Sequence, residues 1–197
     1  MGKATVDKTA IVEEGAAVGE GTRIWAFAQV GRNAIVGKNC VLGNGSFVDR
    51  EARIGDNVKL MNKAQVFRGC EVGNNVFIGP GAVLANDKNP KHNTERKFKG
   101  YEWKIRDNAS IGANSVILPD VNIGEFAVVG AGSIVTKTVP RQGIVYGNPA
   151  KLHGFACKCG GKLQIMKKEN EKAVLRCEKC GETLSVPLKT FGQVITE

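Results

Sequence analysis

Every sixth residue from Val6 to Leu84 is Val, Ile or Leu. The fourteen positions are Val6, Val12, Val18, Ile24, Val30, Val36, Leu42, Val48, Ile54, Leu60, Val66, Val72, Ile78 and Leu84. An α-helix repeats about every 3.6 residues and a flat strand about every two, so neither sustains a period of six. Short strands joined by tight turns, each with one aliphatic side chain pointing inward, do sustain it. The period therefore predicts an all-β chain folded as a parallel β-helix of hexapeptide repeats.

The residue four positions after each aliphatic residue is small in nearly every repeat from Ala10 to Ala82. A small side chain suits the inside of a tight corner. Cys40 and Cys70 occupy this position, so we expect both to be core residues. Neighbouring glycines and asparagines are expected to adopt the unusual backbone angles that tight turns need. These residues are Gly19, Gly37, Gly55, Gly73, Asn33, Asn39, Asn57, Asn74 and Asn75.

Three hexapeptides per coil give a triangular coil, in which residues 18 apart in the sequence stack at about 4.8 Å. The period breaks at Asn86 and resumes at Ile105. It continues through Ile111, Ile117, Ile123, Val129 and Val135. The 21-residue step from Leu84 to Ile105 adds fifteen residues at one corner. Residues 86–103 therefore form an inserted loop, and a long polar loop on a regular solenoid is usually functional.

Residues 137–156 are expected to leave the β-helix, because they contain Pro140, Pro149 and several glycines. Two cysteine pairs follow, each with a glycine directly after it, and a short β-like segment separates them. This spacing predicts a zinc ribbon in which Cys157, Cys159, Cys177 and Cys180 hold one structural Zn²⁺. Residues 1–150 would then be the β-helix domain, and residues 151–197 a C-terminal extension that carries the ribbon.

The net charge is +9, with 28 Lys and Arg against 19 Asp and Glu. This excess favours an anionic partner, and nucleic acid, anionic lipid and phosphorylated small molecules are all compatible with it. No apolar run is long enough for a transmembrane helix, and residues 1–14 lack the apolar core of a signal peptide. We therefore expect a cytoplasmic protein that does not bind a membrane, with its cysteines reduced or bound to metal.

Three segments of the sequence resemble segments of one known enzyme family. Residues 22–27 (Thr-Arg-Ile-Trp-Ala-Phe) resemble the Arg-Ile-Trp-His-Phe segment of bacterial nucleotide-sugar N-acetyltransferases. Residues 86–91 (Asn-Asp-Lys-Asn-Pro-Lys) are similar to their Thr-Asn-x-x-x-Pro-Arg-Ser loop. Residues 130–140 and 147–151 look like the coenzyme A end of the left-handed β-helix acyltransferases. The resemblance implies a left-handed helix, a homotrimer, and transfer of acetyl from acetyl-CoA to the 3-amino group of a nucleotide-linked sugar.

The departures from the family concern the sugar more than the reaction. Ala26 stands where the branch acting on uronic acids often has His, and Lys91-His92 replaces Arg-Ser. The resemblance favours a UDP-2-acetamido-3-amino-uronic acid or a dTDP-3-amino-dideoxyhexose, as in surface polysaccharide biosynthesis.

Stacking by one coil arranges candidate site residues in columns. The first edge reads Ala26, Asn44, Asn62, Pro80, Ala113 and Ala131. Asn62 matches a family residue that orients the substrate, and its amide can both donate and accept. Asn44 is a candidate for substrate binding. The resemblance assigns coenzyme A contacts to Gly112, Ala113, Gly130, Ala131 and Lys137. Small corner residues are also what the repeat requires sterically.

A second edge reads Glu14, Arg32, Arg50, Arg68 and Asn86. Guanidinium groups suit diphosphates and carboxylates, so Arg68 is a candidate for substrate binding, as are Asn86 and Lys91 in the adjoining loop. Stacked arginines can also be solvated surface charges. The coils contain no histidine, which favours attack by a sugar amine that is already neutral. His92 in the loop is the alternative, as a general base.

Three rival functions fit the sequence less well. A γ-type carbonic anhydrase requires three histidine ligands, whereas the chain has only His92 and His153. O-acetylation of a hydroxyl normally needs a histidine base, which the coils lack. A basic zinc-ribbon protein that binds nucleic acid would explain the charge and the cysteines, but not the inserted loop or the coenzyme A end, and no aromatic-rich binding face is apparent.

Overall fold

The computed structural model describes residues 2–93 and 103–195. The part of the loop at 94–102 lies outside the described residues. Two- and three-residue strands follow one another along the chain. They are β1 (Thr5–Val6), β2 (Ile11–Val12), β3 (Ala17–Val18), β4 (Arg23–Ile24), β5 (Gln29–Val30), β6 (Ile35–Val36), β7 (Val41–Leu42), β8 (Phe47–Val48), β9 (Arg53–Ile54), β10 (Lys59–Leu60), β11 (Gln65–Val66), β12 (Cys70–Val72), β13 (Phe77–Ile78), β14 (Val83–Leu84), β15 (Trp103–Ile105), β16 (Ser110–Ile111), β17 (Val116–Ile117), β18 (Val128–Val129) and β19 (Ile134–Val135).

Each strand up to β14 pairs in parallel with the strand three places further along, and in the last coil β16 pairs with β18 and β17 with β19, because the third side there has only a single bridge at Ile123. The chain therefore winds into a three-sided β-solenoid of about seven turns. The pairing joins residues 18 apart, as Thr5 joins Arg23. Across the insertion Cys70 pairs with Trp103, a separation of 33 residues. The predicted fold class and the predicted insertion of fifteen residues at one corner are both confirmed.

The core is built from the predicted period. From Ile24 onward, the inward aliphatic residue of each strand is buried, and so are most of the small corner residues. Cys40 and Cys70 are both 0% exposed, as predicted, and burial raises the pKa of each thiol. The first coil differs, because Val6 is 45% exposed at the open end of the solenoid.

The corner asparagines and glycines are required for different reasons. Asn33, Asn39, Asn57 and Asn75 have φ between 54° and 57°, as the turn prediction requires. Asn74 and the glycines at positions 19, 37, 55 and 73 do not have positive φ, so that part of the prediction is wrong. The glycines stack on one another instead, and a Cβ on Gly37 would lie 2.5 Å from the carbonyl oxygen of Gly55. Close backbone approach, not backbone conformation, excludes a side chain there.

The expectation that residues 137–156 leave the β-helix is wrong for the part up to Gly147 and holds for residues 150–156, which form an antiparallel strand. Val139 forms a parallel bridge to Ile123, and β20 (Gly143–Gly147) pairs in parallel with β18. The pairing of Val128 with Ile144 shortens this last coil to 16 residues. The solenoid therefore continues through β20.

Antiparallel strands then extend the same sheet beyond the solenoid. They are β21 (Ala150–Ala156), β22 (Lys162–Glu169), β23 (Lys172–Cys177) and β24 (Thr183–Pro187), followed by the short helix α1 (Leu188–Phe191). Phe155, Leu163 and Leu175 belong to the same hydrophobic core as the coils. The predicted division at residue 150 thus falls within a continuous sheet. No described helix has the length and apolar character needed to cross a membrane.

Candidate functional site

The first edge of the solenoid carries the predicted column. A Cβ on Gly43 would lie 2.6 Å from the backbone N of Asn62, and a Cβ on Gly79 would lie 2.6 Å from that of Ala113. The Oδ1 atom of Asn62 accepts the backbone N–H of Asn44 at 3.0 Å. Asn62 is therefore oriented by a bond to the preceding coil. Its Nδ2 forms no hydrogen bond to any described residue, so it can donate to a ligand.

Side-chain oxygens accept hydrogen bonds from backbone N–H groups at other corners in the same way. On the third edge, Asp56 accepts the N–H of Lys38 at 2.7 Å. Asn74 accepts the N–H of Asp56 at 2.8 Å. Asp107 accepts the N–H of Asn74 at 2.9 Å. An Asp or Asn in the next coil thus satisfies each corner donor, because its short side chain reaches back by one coil.

On the first edge, the described residues make this kind of bond once, between Asn62 and Asn44, and the backbone N–H groups of Ala26 and Asn62 have no acceptor. The next corner residues are Pro80, Ala113 and Ala131, which have no side-chain acceptor. Within the described chain the backbone N–H groups of Ala113 and Ala131 donate to no other group. The N–H groups of Gly112 and Gly130 donate to Val129 and Val145, each at 2.8 Å. Of the four corner residues assigned to coenzyme A, only the two alanines therefore offer a backbone donor.

The second edge carries the predicted arginine column, but carboxylates accompany it. Nη2 of Arg68 lies 2.6 Å from Oε2 of Glu51. Asp49 accepts the backbone N–H of Arg68 at 3.1 Å, and Glu13 accepts that of Arg32 at 2.8 Å. The column is thus less positive than its arginines alone indicate, and a phosphate on Arg68 would compete with Glu51.

Lys137 lies on this second edge, not with Ala113 and Ala131. The N–H of Leu118 donates to the carbonyl of Val135 at 3.1 Å, which places Lys137 one coil beyond Pro119 and two beyond Asn86. Within one chain, Lys137 and the two alanines are at different corners. A ligand that contacts all three would have to span more than one edge or lie between two subunits.

The described part of the loop is tied to the solenoid by an ion pair. Nζ of Lys88 lies 2.9 Å from Oδ2 of Asp120, and Asp87 closes a turn by accepting the N–H of Asn89 at 2.9 Å. Lys91 and His92 are exposed just beyond this turn, while Asn86 is half-buried at its start. The loop therefore starts on the second edge, next to the arginine column.

The four predicted metal ligands come together at the end of the sheet. The sulfurs of Cys157, Cys159, Cys177 and Cys180 all lie within 4.8 Å of one another. Sγ of Cys157 is 3.5 Å from that of Cys180, and Sγ of Cys159 is 3.6 Å from that of Cys177. A tetrahedral zinc with Zn–S bonds of about 2.3 Å places its sulfurs about 3.8 Å apart. The donor set and its spacing fit zinc.

The backbone around the cysteines is shaped for the same purpose. Gly160 and Gly181 follow the second cysteine of each pair at φ of 85° and 76°, which favours glycine. A Cβ on Gly161 would lie 3.0 Å from Sγ of Cys177. The backbone N–H groups of Cys180 and Lys179 hold the pKa of the Cys177 thiol down at about 7. Thiolate, the form that binds metal, is thereby favoured at Cys177. The pKa of Cys157 is raised instead, because the hydrogen bond from the backbone N–H of Cys159 is outweighed by desolvation and the neighbouring thiols.

Several contacts have no counterpart in the predictions. Gln142, 3% exposed, binds Ala156 twice, through its backbone carbonyl at 2.7 Å and its Nε2 at 2.8 Å. This clamp holds the residue before Cys157 against the last coil. The ion pairs of Glu51 and Asp120 were also missed. Glu51 follows an edge arginine, and Asp120 follows the edge residue Pro119, so the column register was the signal that could have found both.

Corners stacked around a hydrophobic core, with one inserted loop, define a hexapeptide-repeat solenoid with a ligand-accessible edge. The sequence profile described as "Bacterial transferase hexapeptide (six repeats)" matches residues 4–50, 51–86 and 104–137, more than half of the chain. The chain belongs to this family, as the sequence resemblance predicted.

One relative is the dTDP-3-amino-3,6-dideoxy-alpha-D-galactopyranose 3-N-acetyltransferase of Aneurinibacillus thermoaerophilus. It is 47% identical over 75 residues, which are 38% of each chain. The chain spans between 34% and 38% of the length of the first curated relatives it matches.

Two solved structures share the fold. PerB from Caulobacter crescentus, in complex with CoA and GDP-perosamine, is 22% identical with a TM-score of 0.51, over 78% of this chain and 58% of that one. LpxA, a UDP-N-acetylglucosamine acyltransferase from Bacteroides fragilis, is 19% identical with a TM-score of 0.66, over 78% and 61%. At these identities the likeness is one of fold.

Proposed function

We propose that the protein is an acetyl-CoA-dependent N-acetyltransferase that acts on the amino group of a nucleotide-linked sugar. One observation carries the proposal: beyond Asn62 the corner residues of the first edge have no side-chain acceptor, and the N–H groups of Ala113 and Ala131 are left without acceptors. The pantetheine arm of coenzyme A contains two amide carbonyls. It can accept these two hydrogen bonds while lying along an edge lined by small residues.

The order of groups along the edge suits acetyl transfer. With the arm on Ala113 and Ala131, the thioester would lie near Asn62, whose Nδ2 can hold the sugar amine or the acetyl carbonyl. The described coils contain no histidine, so the amine attacks as the neutral free base. Its nitrogen forms the amide bond, the carbon–sulfur bond breaks, and coenzyme A leaves as a thiol after receiving a proton. This chemistry suits an amine better than a hydroxyl.

The named relative that is 47% identical to part of this chain supports a nucleotide-linked 3-amino sugar as the acceptor. Arg68, Asn86 and Lys91 surround the start of the loop and are the candidates for its diphosphate. A UDP-2-acetamido-3-amino-uronic acid, used in surface polysaccharide biosynthesis, remains the specific substrate we propose. Its carboxylate would add a second anionic group for the arginine column.

The working unit we propose is a cytoplasmic homotrimer. One face of the solenoid is formed by β2, β5, β8, β11, β14, β17 and β19. Its outward residues are largely apolar, and Phe47 and Phe67 pack there with ring centroids 5.5 Å apart. The outward series reads Ile11, Gln29, Phe47, Gln65, Val83, Val116 and Ile134. A second subunit on this face would bury that surface. Sedimentation of a Phe47→Glu variant as monomer, against a trimeric wild type, would support the placement.

The metal we propose is one structural Zn²⁺ held by Cys157, Cys159, Cys177 and Cys180. Four thiolates fill the tetrahedral positions, so no place remains for a water or substrate. When bound, zinc would hold the two cysteine turns together. The chain's own clamp between Gln142 and Ala156 would then fix the ribbon to the solenoid.

The test is turnover of acetyl-CoA with purified protein across UDP-, dTDP- and GDP-linked amino sugars, followed by release of free thiol. We expect turnover with a 3-amino sugar and none with the matched 3-hydroxy sugar. Acetylation of the hydroxy compound at a similar rate would instead indicate an O-acetyltransferase. If acetyl-CoA fails to bind, and the protein instead shifts the electrophoretic mobility of a nucleic acid, the protein is the nucleic-acid-binding alternative and not an acetyltransferase.

A further inference from the structure

Many corners of the solenoid turn through one residue with a left-handed backbone, and that residue is most often asparagine or glycine. Six asparagines have φ between 53° and 61° there: Asn33, Asn39, Asn57, Asn75, Asn108 and Asn114. Both residue types tolerate this conformation better than bulky ones. Two corners carry a phenylalanine instead, Phe27 at a φ of 58° and Phe126 at 56°. An aromatic residue is strained in this conformation, which indicates that each ring is retained for a contact that it makes.

Phe126 makes its contact within the chain. It lies on the third edge, where the Nζ atom of Lys158 is 5.7 Å from the centroid of its ring. A cation over an aromatic face is a favourable interaction, and here it joins the first cysteine turn to the solenoid. The strained corner at Phe126 is thus accounted for by the attachment of the ribbon.

Phe27 has no such contact among the described residues. It is 73% exposed, and Trp25, on the other side of Ala26, is 48% exposed. The backbone N–H of Phe27 donates to Oγ1 of Thr9 at 3.1 Å, which fixes the corner but gives the ring no partner. Two exposed aromatic residues therefore flank the corner at Ala26.

The position after Phe27 in its column is open. The register places Phe27, Gly45 and Lys63 on successive coils of the first edge, about 4.8 Å apart. A Cβ on Gly45 would have only one side-chain atom within 4 Å, Cγ of Lys63 at 3.7 Å. The ring of Phe27 therefore borders a step that has no side chain, directly beside Asn44.

We propose that Phe27 stacks on the base of the nucleotide-linked acceptor, above the open step at Gly45. This assignment rests on the proposed function. A planar base gains from stacking on an exposed aromatic face, largely whatever its sequence of ring atoms. Phe27 is two coils, about 9.6 Å, from the level of Asn62, a distance that the ribose and diphosphate of a nucleotide sugar can span.

The position along the solenoid identifies which nucleotide binds there. Coenzyme A also carries a base, but its arm is placed on Ala113 and Ala131, beyond Asn62 in the direction of the C-terminus. Phe27 lies on the opposite side of Asn62, because the coils follow one another in chain order. The base on Phe27 is therefore that of the acceptor and not the adenine of coenzyme A.

The experiment is a titration of the full-length, zinc-loaded chain with UDP and with dTDP, followed by tryptophan fluorescence. The chain has two tryptophans, and Trp103 is 0% exposed, so a nucleotide at this corner changes the emission of Trp25 and shields it from quenching by iodide. We expect saturable binding of both nucleotides. Pyrophosphate, which has no ring, should bind at least tenfold more weakly.

Phe27→Asn separates binding from stability. Asparagine is the residue of six other left-handed corners, so the variant should melt at the same temperature as wild type or higher. It should bind UDP and dTDP at least tenfold more weakly, because it has no ring. Phe27→Tyr keeps the ring and should bind them as wild type does. Phe126→Asn makes the same change on the third edge and should leave nucleotide binding unchanged.

Three results would overturn the proposal: equal affinity for UDP and pyrophosphate, unchanged nucleotide binding in Phe27→Asn, and displacement of UDP by coenzyme A. Unchanged binding together with a smaller sedimentation coefficient in Phe27→Asn would assign the ring to a contact between subunits. The comparison of UDP with pyrophosphate uses the wild-type chain, so it stands even if Phe27→Asn fails to fold. Binding is measured without acetyl transfer. Acetylation of amino sugars with no shielding of Trp25 would therefore refute the base site alone, and shielding without acetylation would refute only the proposed activity.

Discussion

Asn62 reaches back by one coil, and its Oδ1 accepts the backbone N–H of Asn44 at 3.0 Å. The same bond recurs on the third edge, where Asn74 accepts the N–H of Asp56 at 2.8 Å. One amide group thus has two separable duties at Asn62. Its oxygen supports the corner, and its nitrogen is the group that can act on a substrate.

Replacement of Asn62 by Asp separates these duties. The Asp side chain keeps an oxygen for the N–H of Asn44, as Asp56 and Asp107 already do on the third edge. It loses the Nδ2 donor. We expect Asn62→Asp to melt within a few degrees of wild type but to lose about tenfold in kcat/KM, since a transition-state hydrogen bond is worth about 1.5 kcal/mol. Asn62→Ala should lose both activity and some stability.

The matched control for this prediction is Asn74→Asp, which makes the same change on the third edge. It should leave kcat/KM unchanged. If Asn62→Asp is as active as wild type, the residue serves only the corner.

Ala131→Asn tests the edge proposed for the pantetheine arm. An Asn at position 131 would reach back to the N–H of Ala113, as Asn62 reaches to Asn44. The added bond would occupy one proposed donor and place a side chain on the track. We expect KM for acetyl-CoA to rise roughly tenfold, with stability unchanged or slightly higher, because one hydrogen bond contributes about 1 kcal/mol. Steady-state kinetics and thermal melting measure the two effects. Unchanged kinetics would place the arm elsewhere.

Much of the fold could be predicted because one residue in six carries the core. The end of the solenoid could not, because the phase of the repeat shifts there. Val135 and Val139 are four residues apart, and six-residue spacing resumes only from Val139 to Val145. Pro140 and Pro149 favoured an interpretation of this region as loop, because proline usually interrupts strands. The glycines illustrate a different limit of sequence-based prediction. A glycine at position 37 is equally compatible with a positive φ and with the close backbone contact to Gly55, and the sequence does not distinguish the two.

The stacking of the candidate site residues into columns could be predicted from the same register, but the ion pairs and hydrogen bonds of their side chains could not. A column places Arg68 one coil beyond Arg50, yet it says nothing of which neighbour the guanidinium contacts. The bond to Glu51 depends on side-chain conformations across two coils. Tyr146 and His153 meet because a hairpin reverses the chain between them, and a six-residue period carries no information on that hairpin. The arrangement of four cysteines was predictable because thiolate ligands admit few alternatives.

The Arg68–Glu51 pair supplies the next prediction. If Arg68 binds the diphosphate, Arg68→Ala should raise KM for the nucleotide sugar roughly tenfold, the equivalent of about 1.4 kcal/mol, and leave KM for acetyl-CoA nearly unchanged. Glu51→Gln releases the guanidinium from its competitor, so KM for the sugar should stay the same or fall. The ion pair is partly exposed and contributes at most about 1 kcal/mol to stability. Equal KM values in wild type and Arg68→Ala would show that the arginine is a surface charge.

Removal of zinc should loosen the ribbon and spare the coils. Loss of a structural zinc removes the bonds that hold the two cysteine turns together. We expect one zinc per chain by mass spectrometry, and faster hydrogen exchange in residues 157–187 after chelation, with the coils before Gln142 still protected. Cys180→Ser is the matching variant, because its side chain is exposed and its loss leaves no core cavity. Unfolding of the whole solenoid on chelation would show that the metal supports both parts of the chain.

The source of the proton decides the mechanism, and His92 is the histidine on the inserted loop that could accept it. If the sugar amine attacks as the free base, kcat/KM should rise with pH as that amine loses its proton. The same limb should then persist in His92→Ala, with a change in kcat of less than about threefold. His92→Gln is the control for loss of a polar side chain from the loop. pH profiles of the three proteins with one sugar give the comparison. Disappearance of the acid limb, together with a fall in kcat of roughly a hundredfold or more in both variants, would make His92 the general base.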